Sequence, residues 1–389
     1  MSEGRPHASV LRQGDGAGEV TNIELFFDLV YVFAVTQLSE LLVRHHTVAG
    51  AVQAGVLLAM VWQIWVYTTW AINYLDPNRS PARFMLVLLM LGSLVLSAAL
   101  PTAFHGHGLL VATTYVAMQA GRVLFCVWVL RGEQLQIVFL RILPWTLTSS
   151  VVVLLGATTG DHMRALLWAL AIVIDLVGAA FGFFVPGLGR SATTDWKISG
   201  SHFAERCQAF VLIALGESIV VIGTRLDLDH PTWRNSAAFA GAFAAAVTFW
   251  WIYFDRAADD SSRAIATSSD PGRLARSAFH YIHPLIVGGI IAAAAADELV
   301  QEHLEGHTEP ATGWLVLGGT ALFLAGHALF KAVVWRVASW PRIVGVIALA
   351  GGGLLAPHVT ALALGFFTLA VLVAVALADR ILHPVEAAD

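Results

Sequence analysis

Two carboxylates lie one helical turn apart near the start of the first long apolar run. Glu24 and Asp28 are four positions apart within residues 20–37, which are otherwise mostly apolar. On a helix they share one face. An ionisable side chain inside a membrane span costs roughly 2.5–3.5 kcal/mol on insertion scales, so it usually faces protein or a watery cavity. The pair therefore predicts a polar contact or pathway on this helix.

A buried arginine is the expected partner of these acids. Arg122 lies about nine residues before the end of the fourth apolar run, which gives a depth of roughly 13 Å by helical rise. An unpaired arginine at that depth would be costly, and Asp28 or Glu24 is nearest to it in depth. Two interpretations stay open: a structural ion pair between the two helices, or a gating or proton-coupled pair beside a pathway.

The seventh apolar run repeats the pattern of charge at its start and a carboxylate deeper inside. Glu205 and Arg206 lie at its beginning; as adjacent residues they reach different partners, and Arg206 could instead extend to the membrane interface. Glu217 is about twelve residues deeper, beside Gly216, which permits close helix approach, and Ser218, which can donate a hydrogen bond. We expect Glu217 to carry a proton and to serve function.

Two further polar residues are candidates for a transport or gating role. Asp175 is in the middle of the sixth run with no basic residue near it in sequence. His280 begins the ninth run, shortly before His283 and Pro284. The proline is expected to kink the helix, and the histidine could relay protons or be a satisfied core residue.

Composition indicates the class of protein that must position these residues. Of 389 residues, 57% are hydrophobic and only 13% charged, and the mean hydropathy is +0.72. Soluble domains are about a quarter charged, so this chain is expected to be an all-α, polytopic membrane protein. Apolar runs fall at about 23–43, 51–72, 83–100, 108–130, 136–157, 163–185, 203–224, 235–255, 277–297, 312–334, 342–357 and 359–381. The eleventh is short and rich in glycine.

The placement of basic residues supports about twelve spans. With alternating spans, 17 of the 22 lysines and arginines fall on the side of the N-terminus and four on the other, with Arg122 inside a span. The positive-inside rule then predicts a multi-pass protein of the inner (plasma) membrane with both termini cytoplasmic. Residues 1–19 are expected to form a flexible cytoplasmic tail without a cleavable signal peptide.

An internal repeat is indicated by matches between the two halves. Residues 61–67 resemble residues 247–253, and residues 121–125 resemble 326–330. We therefore expect two six-helix repeats, residues 20–190 and 191–389. Because each has an even number of spans, the repeats would be parallel.

The acidic motifs also carry a family resemblance over residues 20–380. The run Glu24-Leu25-Phe26-Phe27-Asp28-Leu29-Val30, together with Glu205-Arg206 and Ala214-Leu215-Gly216-Glu217-Ser218-Ile219, resembles the low temperature requirement protein A family of bacterial membrane proteins. The family is named for growth in the cold, which implies a stress role but no reaction.

A weaker resemblance is to a six-helix-repeat potassium channel family, carried by residues 26–36. There Phe27 replaces the serine of the channel signature and Asn22 the preceding arginine.

Few enzyme or metal signals are present. His303 and His307 with Glu298 and Glu302 could hold a metal, although a solvated acidic loop is the simpler interpretation. No nucleotide-binding or hydrolase motif occurs, and no basic face suggests nucleic acid. We expect no cofactor, and no catalytic role can be assigned.

The sequence leaves three functions open. The first is passage of a small solute or ion between the two repeats, coupled to protons. The second is a non-transporting membrane factor acting on lipids or a partner protein in cold or envelope stress. The third is a cation channel. The lipid bilayer is the one partner that the composition predicts.

Overall fold

The described part of the chain forms a bundle of membrane-length helices. The computed structural model describes residues 11–12, 20–193, 200–226, 228–229, 232–255, 263–265 and 268–382. The twelve main helices are α1 Asn22–Arg44, α2 Val48–Tyr74, α3 Ser80–Ala99, α4 Gly108–Val129, α5 Gln136–Ala157, α6 Asp161–Ala180, α7 Gly200–Thr224, α8 Trp233–Phe254, α9 Pro271–Glu302, α10 Pro310–Trp335, α11 Trp340–Gly352 and α12 Ala361–Leu382. The all-α membrane class is thereby confirmed.

Eleven of these helices in the described part of the chain are long and apolar enough to cross a bilayer. Each predicted run corresponds to one helix, and most boundaries agree within a few residues. The exception is α11, whose 13 residues span about 20 Å, less than the roughly 30 Å of hydrocarbon. Its run is interrupted after Gly352, and a short 3-10 turn, Ala356–His358, follows it.

Side-chain chemistry explains where α1 begins. Thr21 precedes the helix, and its backbone N–H and its hydroxyl each donate to Glu24 Oε2 over 2.8 Å. The Glu24 carboxylate thereby satisfies a backbone donor that has no partner within the helix. We call the side of the bundle where α1 begins the proximal face, and the side where α1 ends the distal face.

One proline reshapes the beginning of α9. Pro284 has no N–H to give to the carbonyl of His280, and residues Arg276–Ile282 form a π turn. The freed His280 carbonyl accepts a hydrogen bond of 3.0 Å from Trp62 Nε1 on α2. The proline predicted to kink this helix thus coincides with a polar contact to α2.

Helix α1 packs in the middle of the bundle, against α2, α3, α7 and α9. Helix α2 in turn contacts α4, α6 and α7. Some neighbour relations recur six helices later: α1 with α3 matches α7 with α9, and α2 with α6 matches α8 with α12. The polar residues of α1 are therefore enclosed by helices from both halves of the chain.

Candidate functional site

A buried ion pair joins the proximal ends of α1 and α7. Arg206 donates from Nε to Asp28 Oδ2 over 2.7 Å and from Nη2 to Asp28 Oδ1 over 2.6 Å. This two-point geometry is the strongest that arginine makes with a carboxylate. Trp65 Nε1 on α2 adds a hydrogen bond of 2.7 Å to Asp28 Oδ1. The pair is therefore held by three helices.

Glu24 gathers a second set of partners one turn away. His202 Nε2 lies 2.6 Å from Glu24 Oε1, and Arg206 Nη1 lies 3.3 Å from the same oxygen. Asn73 Nδ2 on α2 lies 3.1 Å from His202 Nδ1. With the Asn73 amide nitrogen donating to Nδ1, the imidazole proton is assigned to Nε2, which donates it to Glu24. His202 thus bridges α1 and α2 at this face.

The N-terminal segment completes this group. Arg12 Nη2 donates to Glu24 Oε2 over 2.9 Å, and its backbone N–H donates to the Tyr74 carbonyl over 2.8 Å. Leu11 forms an isolated antiparallel bridge with Leu75. Residues 11–12 are thus fixed against α2, contrary to the predicted flexible tail; the remainder of residues 1–19 lies outside the described residues. We call Arg12, Glu24, Asp28, His202 and Arg206 the proximal cluster.

The proximal cluster is sealed and electrically balanced. All four carboxylate oxygens accept hydrogen bonds, and the side chains of Glu24, His202 and Arg206 are 0% exposed. Two carboxylates face two guanidiniums, and the rings of Phe27 and Trp65 lie 5.7 and 5.8 Å from the Arg206 guanidinium carbon. Removing one partner of such a buried pair costs roughly 3–5 kcal/mol, because the other charge stays buried. The proximal cluster therefore holds α1 and α7 together through paired charges, and we call this role a clamp.

The predicted pairing of Arg122 with Asp28 or Glu24 is wrong. Arg122 is 4% exposed, and its hydrogen-bond acceptors are Gln119 Oε1 at 2.5 Å and, at 3.4 Å each, the Ile64 carbonyl and the Thr68 hydroxyl. Helix α2 contacts both α1 and α4, and Arg122 points at α2. The partner of both acids is Arg206, which pairs with them rather than extending to the membrane interface.

A second contact between α1 and α7 lies deeper, toward the distal face. Glu217 is 4% exposed, and its Oε2 lies 2.5 Å from the Thr36 hydroxyl. The same hydroxyl lies 3.2 Å from the Val32 carbonyl. Glu40 and Glu298 act on Glu217 by charge repulsion through space. In the described part of the chain no cation forms an ion pair with Glu217, so this carboxyl differs from both acids of the proximal cluster.

The remaining predicted residues are distributed over the bundle. Glu205 is exposed on α7, pointing away from the cluster. Asp175 on α6 is 5% exposed, lies beside Ser149 and attracts Arg122 only through space. His280 is buried, with Nε2 2.9 Å from Gln63 Oε1. Glu298 and Glu302, in the last turns of α9 at the distal face, both pair with Arg225.

Sequence reasoning missed several residues of the site. His202 is four positions before Arg206, so the shared helical face of α7 was a usable signal. Arg12 is separated from α1 by polar, glycine-rich sequence, and Trp65 and Thr36 are ordinary residues of membrane spans. Only the packing of α1, α2, α7 and the N-terminal segment brings these three to the acids.

The fold and the buried charges define a polytopic, all-α membrane protein. Comparison with known proteins adds the family: the sequence model of the bacterial low temperature requirement A proteins matches residues 19–377, and the chain belongs to that family. A relative from Rhizobium meliloti (strain 1021), named uncharacterized protein RA0937, is 36% identical over 355 residues, which are 91% of this chain and 87% of the relative. No solved structure matches the chain.

Proposed function

We propose that the protein moves a small solute or ion across the membrane, coupled to protons, along the contact between α1 and α7. Glu217 would carry the proton, and the proximal cluster would close the path at its proximal end. The conformation described above is then a closed one. Transport by this route requires the cluster to separate while Glu217 changes its protonation.

The observation that carries the proposal is the contact between Glu217 and Thr36. A threonine hydroxyl has one hydrogen, so Thr36 can donate either to the Val32 carbonyl or to Glu217, but not to both. When Thr36 donates to Val32, Glu217 must be the donor and therefore holds a proton. When Glu217 loses it, Thr36 turns to the carboxylate. The contact between α1 and α7 thus has two hydrogen-bonded states that differ by one proton.

The proximal cluster supports the proposal from the other end of the same helices. A hydrophobic contact of similar volume is often as stable as a buried ion pair or more stable. Ion pairs can, however, exchange partners when helices move. A cluster with two carboxylates and several donors is therefore suited to opening and reclosing.

The topology belongs to the same proposal. We propose two parallel six-helix repeats, residues 20–190 and 191–389, supported by the neighbour relations that recur between the halves. The charge bias supports an inner-membrane protein with cytoplasmic termini, so that the proximal face is cytoplasmic. Sites of repeat-built carriers lie near the midplane between repeats, which is consistent with a path between α1 and α7.

The test is flux through the purified protein in proteoliposomes. A proton gradient is imposed with a panel of small ions and metabolites present, and internal pH and solute uptake are recorded. The expected result is proton movement that depends on one solute and that Glu217→Gln abolishes, because an amide cannot release a proton. Glu205→Gln is the matched control: the same change, on the same helix, at an exposed position.

Two outcomes overturn the proposal. In the first, Glu217→Gln moves protons as fast as the unaltered protein. In the second, the unaltered protein gives no flux across the panel. A single cation that crosses equally fast without a proton gradient would instead identify a channel.

A second candidate function is favoured by the full pairing of the proximal cluster. A non-transporting membrane factor that acts on lipids or a partner protein needs a sealed interior, and Glu24 and Asp28 are sealed. The deciding experiment measures both the growth of cells in the cold with Glu217→Gln and the flux through the unaltered protein. If Glu217→Gln abolishes growth of cells that need the protein in the cold, while the unaltered protein gives no flux, the non-transporting function is correct.

A further inference from the structure

A small cavity separates α2, α4, α5 and α9 in the proximal half of the bundle, away from the contact between α1 and α7. Its volume is about 30 Å³. The lining is mostly apolar and aromatic, with Trp70, Tyr74 and Phe139 among the residues. Two arginines, Arg122 and Arg276, and His280 also line it. Two positively charged guanidiniums in a mostly apolar lining raise the question of what compensates their charge.

Arg122 brings a positive charge whose acceptors are all neutral. Arginine stays protonated in proteins and has five N–H donors. Gln119, Ile64 and Thr68 account for three hydrogen bonds, two of them long at 3.4 Å. At least two N–H groups thus have no acceptor among the described residues. Asp175 attracts the guanidinium only through space, and no carboxylate oxygen in the described segments accepts a hydrogen bond from Arg122.

Arg276, from the π turn of α9, is the second positive charge. Its Nη1 donates to the Ala179 carbonyl over 2.6 Å. Its Nε is buried and has no hydrogen-bond partner in the part of the chain that the structure describes. Asp270, outside the membrane span, acts on Arg276 only through space. Two guanidiniums with spare donors therefore line one mostly apolar cavity, where charges interact more strongly than they do in water.

We propose that this cavity binds one small monatomic anion, chloride being the common one, between Arg122 and Arg276. An anion relieves the repulsion and accepts the spare N–H groups, as carboxylates do for arginine elsewhere. Space for one water requires roughly 10–15 Å³, so a cavity of about 30 Å³ accepts a dehydrated halide and excludes organic solutes. The site would lock α2, α4 and α9 together independently of transport.

The test is halide-dependent thermal stability of the purified protein. Unfolding is followed while chloride replaces gluconate, an anion too large for the cavity, at a constant ionic strength of about 0.15 M. Chloride is expected to raise the melting temperature by roughly 2–4 °C. Arg122→Gln and Arg276→Gln should each abolish that rise. Arg273→Gln, an exposed position three residues before Arg276, should keep it.

The outcomes distinguish anion binding in the cavity from a cavity that holds only water and from a general salt effect. If the unaltered protein melts at the same temperature in both salts, the cavity holds water alone and the proposal is wrong. If both glutamine variants keep the full rise, chloride acts elsewhere and the proposal is equally wrong. Should Arg122→Gln fail to fold, Arg276→Gln still decides, because Arg276 is only partly buried and lies at the beginning of its helix.

Discussion

The two ends of the contact between α1 and α7 use carboxylates in opposite ways. At the proximal end, Glu24 and Asp28 have every oxygen bonded and two arginines opposite them. Toward the distal end, Glu217 has one hydroxyl as its hydrogen-bond partner. Both sites are buried to a similar degree, so burial alone does not separate them. The difference lies in the partners: fixed positive charges in one case and a rotating hydroxyl in the other.

This contrast indicates which acid can change its protonation state with a small change in free energy. Removing a charge from the proximal cluster leaves its counter-charge uncompensated in a low-dielectric interior. A change at Glu217 requires only a hydroxyl to turn. Substitutions in the proximal cluster should therefore mainly lower the free energy of unfolding. Substitutions at Glu217 should mainly reduce proton movement.

Arg206→Met should give the largest loss of stability. It leaves Asp28 and part of Glu24 buried without their cation, which costs roughly 3–5 kcal/mol in the free energy of unfolding. The measurement is denaturant unfolding in detergent micelles, followed by circular dichroism. The double variant Asp28→Leu with Arg206→Met should recover a large part of the loss, and no recovery would contradict the clamp.

Arg12→Gln should have an intermediate effect on the same end of the contact. Glu24 loses one charge-assisted hydrogen bond, worth about 1.5–3 kcal/mol, but keeps His202, Thr21 and Arg206. Limited proteolysis should also cut the N-terminal segment faster, because Arg12 fastens it to Glu24. Arg5→Gln, outside the described residues, is the comparison variant. Equal rates of proteolysis in Arg12→Gln and Arg5→Gln would contradict the idea that Arg12 holds the N-terminal segment to Glu24.

Thr36→Val tests the distal end and should cost about 1 kcal/mol, since Glu217 loses its hydrogen-bond partner. Thr36→Ser keeps a hydroxyl and should behave as the unaltered protein. Infrared difference spectroscopy reports the carbonyl stretch of a protonated carboxyl, and that band should shift in the valine variant alone. An unshifted band would mean that Thr36 does not bond Glu217.

Glu217→Gln should have the smallest effect on stability, below about 0.5 kcal/mol. The amide keeps a hydrogen bond to Thr36 and leaves no counter-charge unpaired, in contrast to the proximal cluster. Thermal unfolding beside the Arg206→Met variant measures the contrast directly. A loss as large as that of Arg206→Met would show that both ends are clamps.

Much of the fold could be predicted because a bilayer imposes it. Apolar runs of about 20 residues have little alternative to membrane-length helices, and eleven such helices are present in the described residues. The candidate acids were also identifiable, because a carboxylate in such a run is costly. The helix α11 departs from the pattern, since its run is broken by the glycines near its end.

The partners of the acids were predictable only in part. Counting residues gives the positions of Arg122 and Arg206 along their helices. It gives neither the rotation of a helix nor the identity of its neighbours. Depth alone therefore predicts that Arg122 pairs with Asp28 or Glu24, whereas it points at α2. Composition predicts a flexible tail around Arg12, whereas Arg12 binds Glu24.

The sequence by itself determined the class, the helices and the buried acids, because these follow from local hydrophobicity and from the cost of charge in lipid. Only the tertiary structure decided which acid is clamped and which has a hydroxyl as its partner. That depends on which side chains of α2, α7 and the N-terminal segment meet α1. Such contacts join residues as many as 182 positions apart, and no local pattern encodes them.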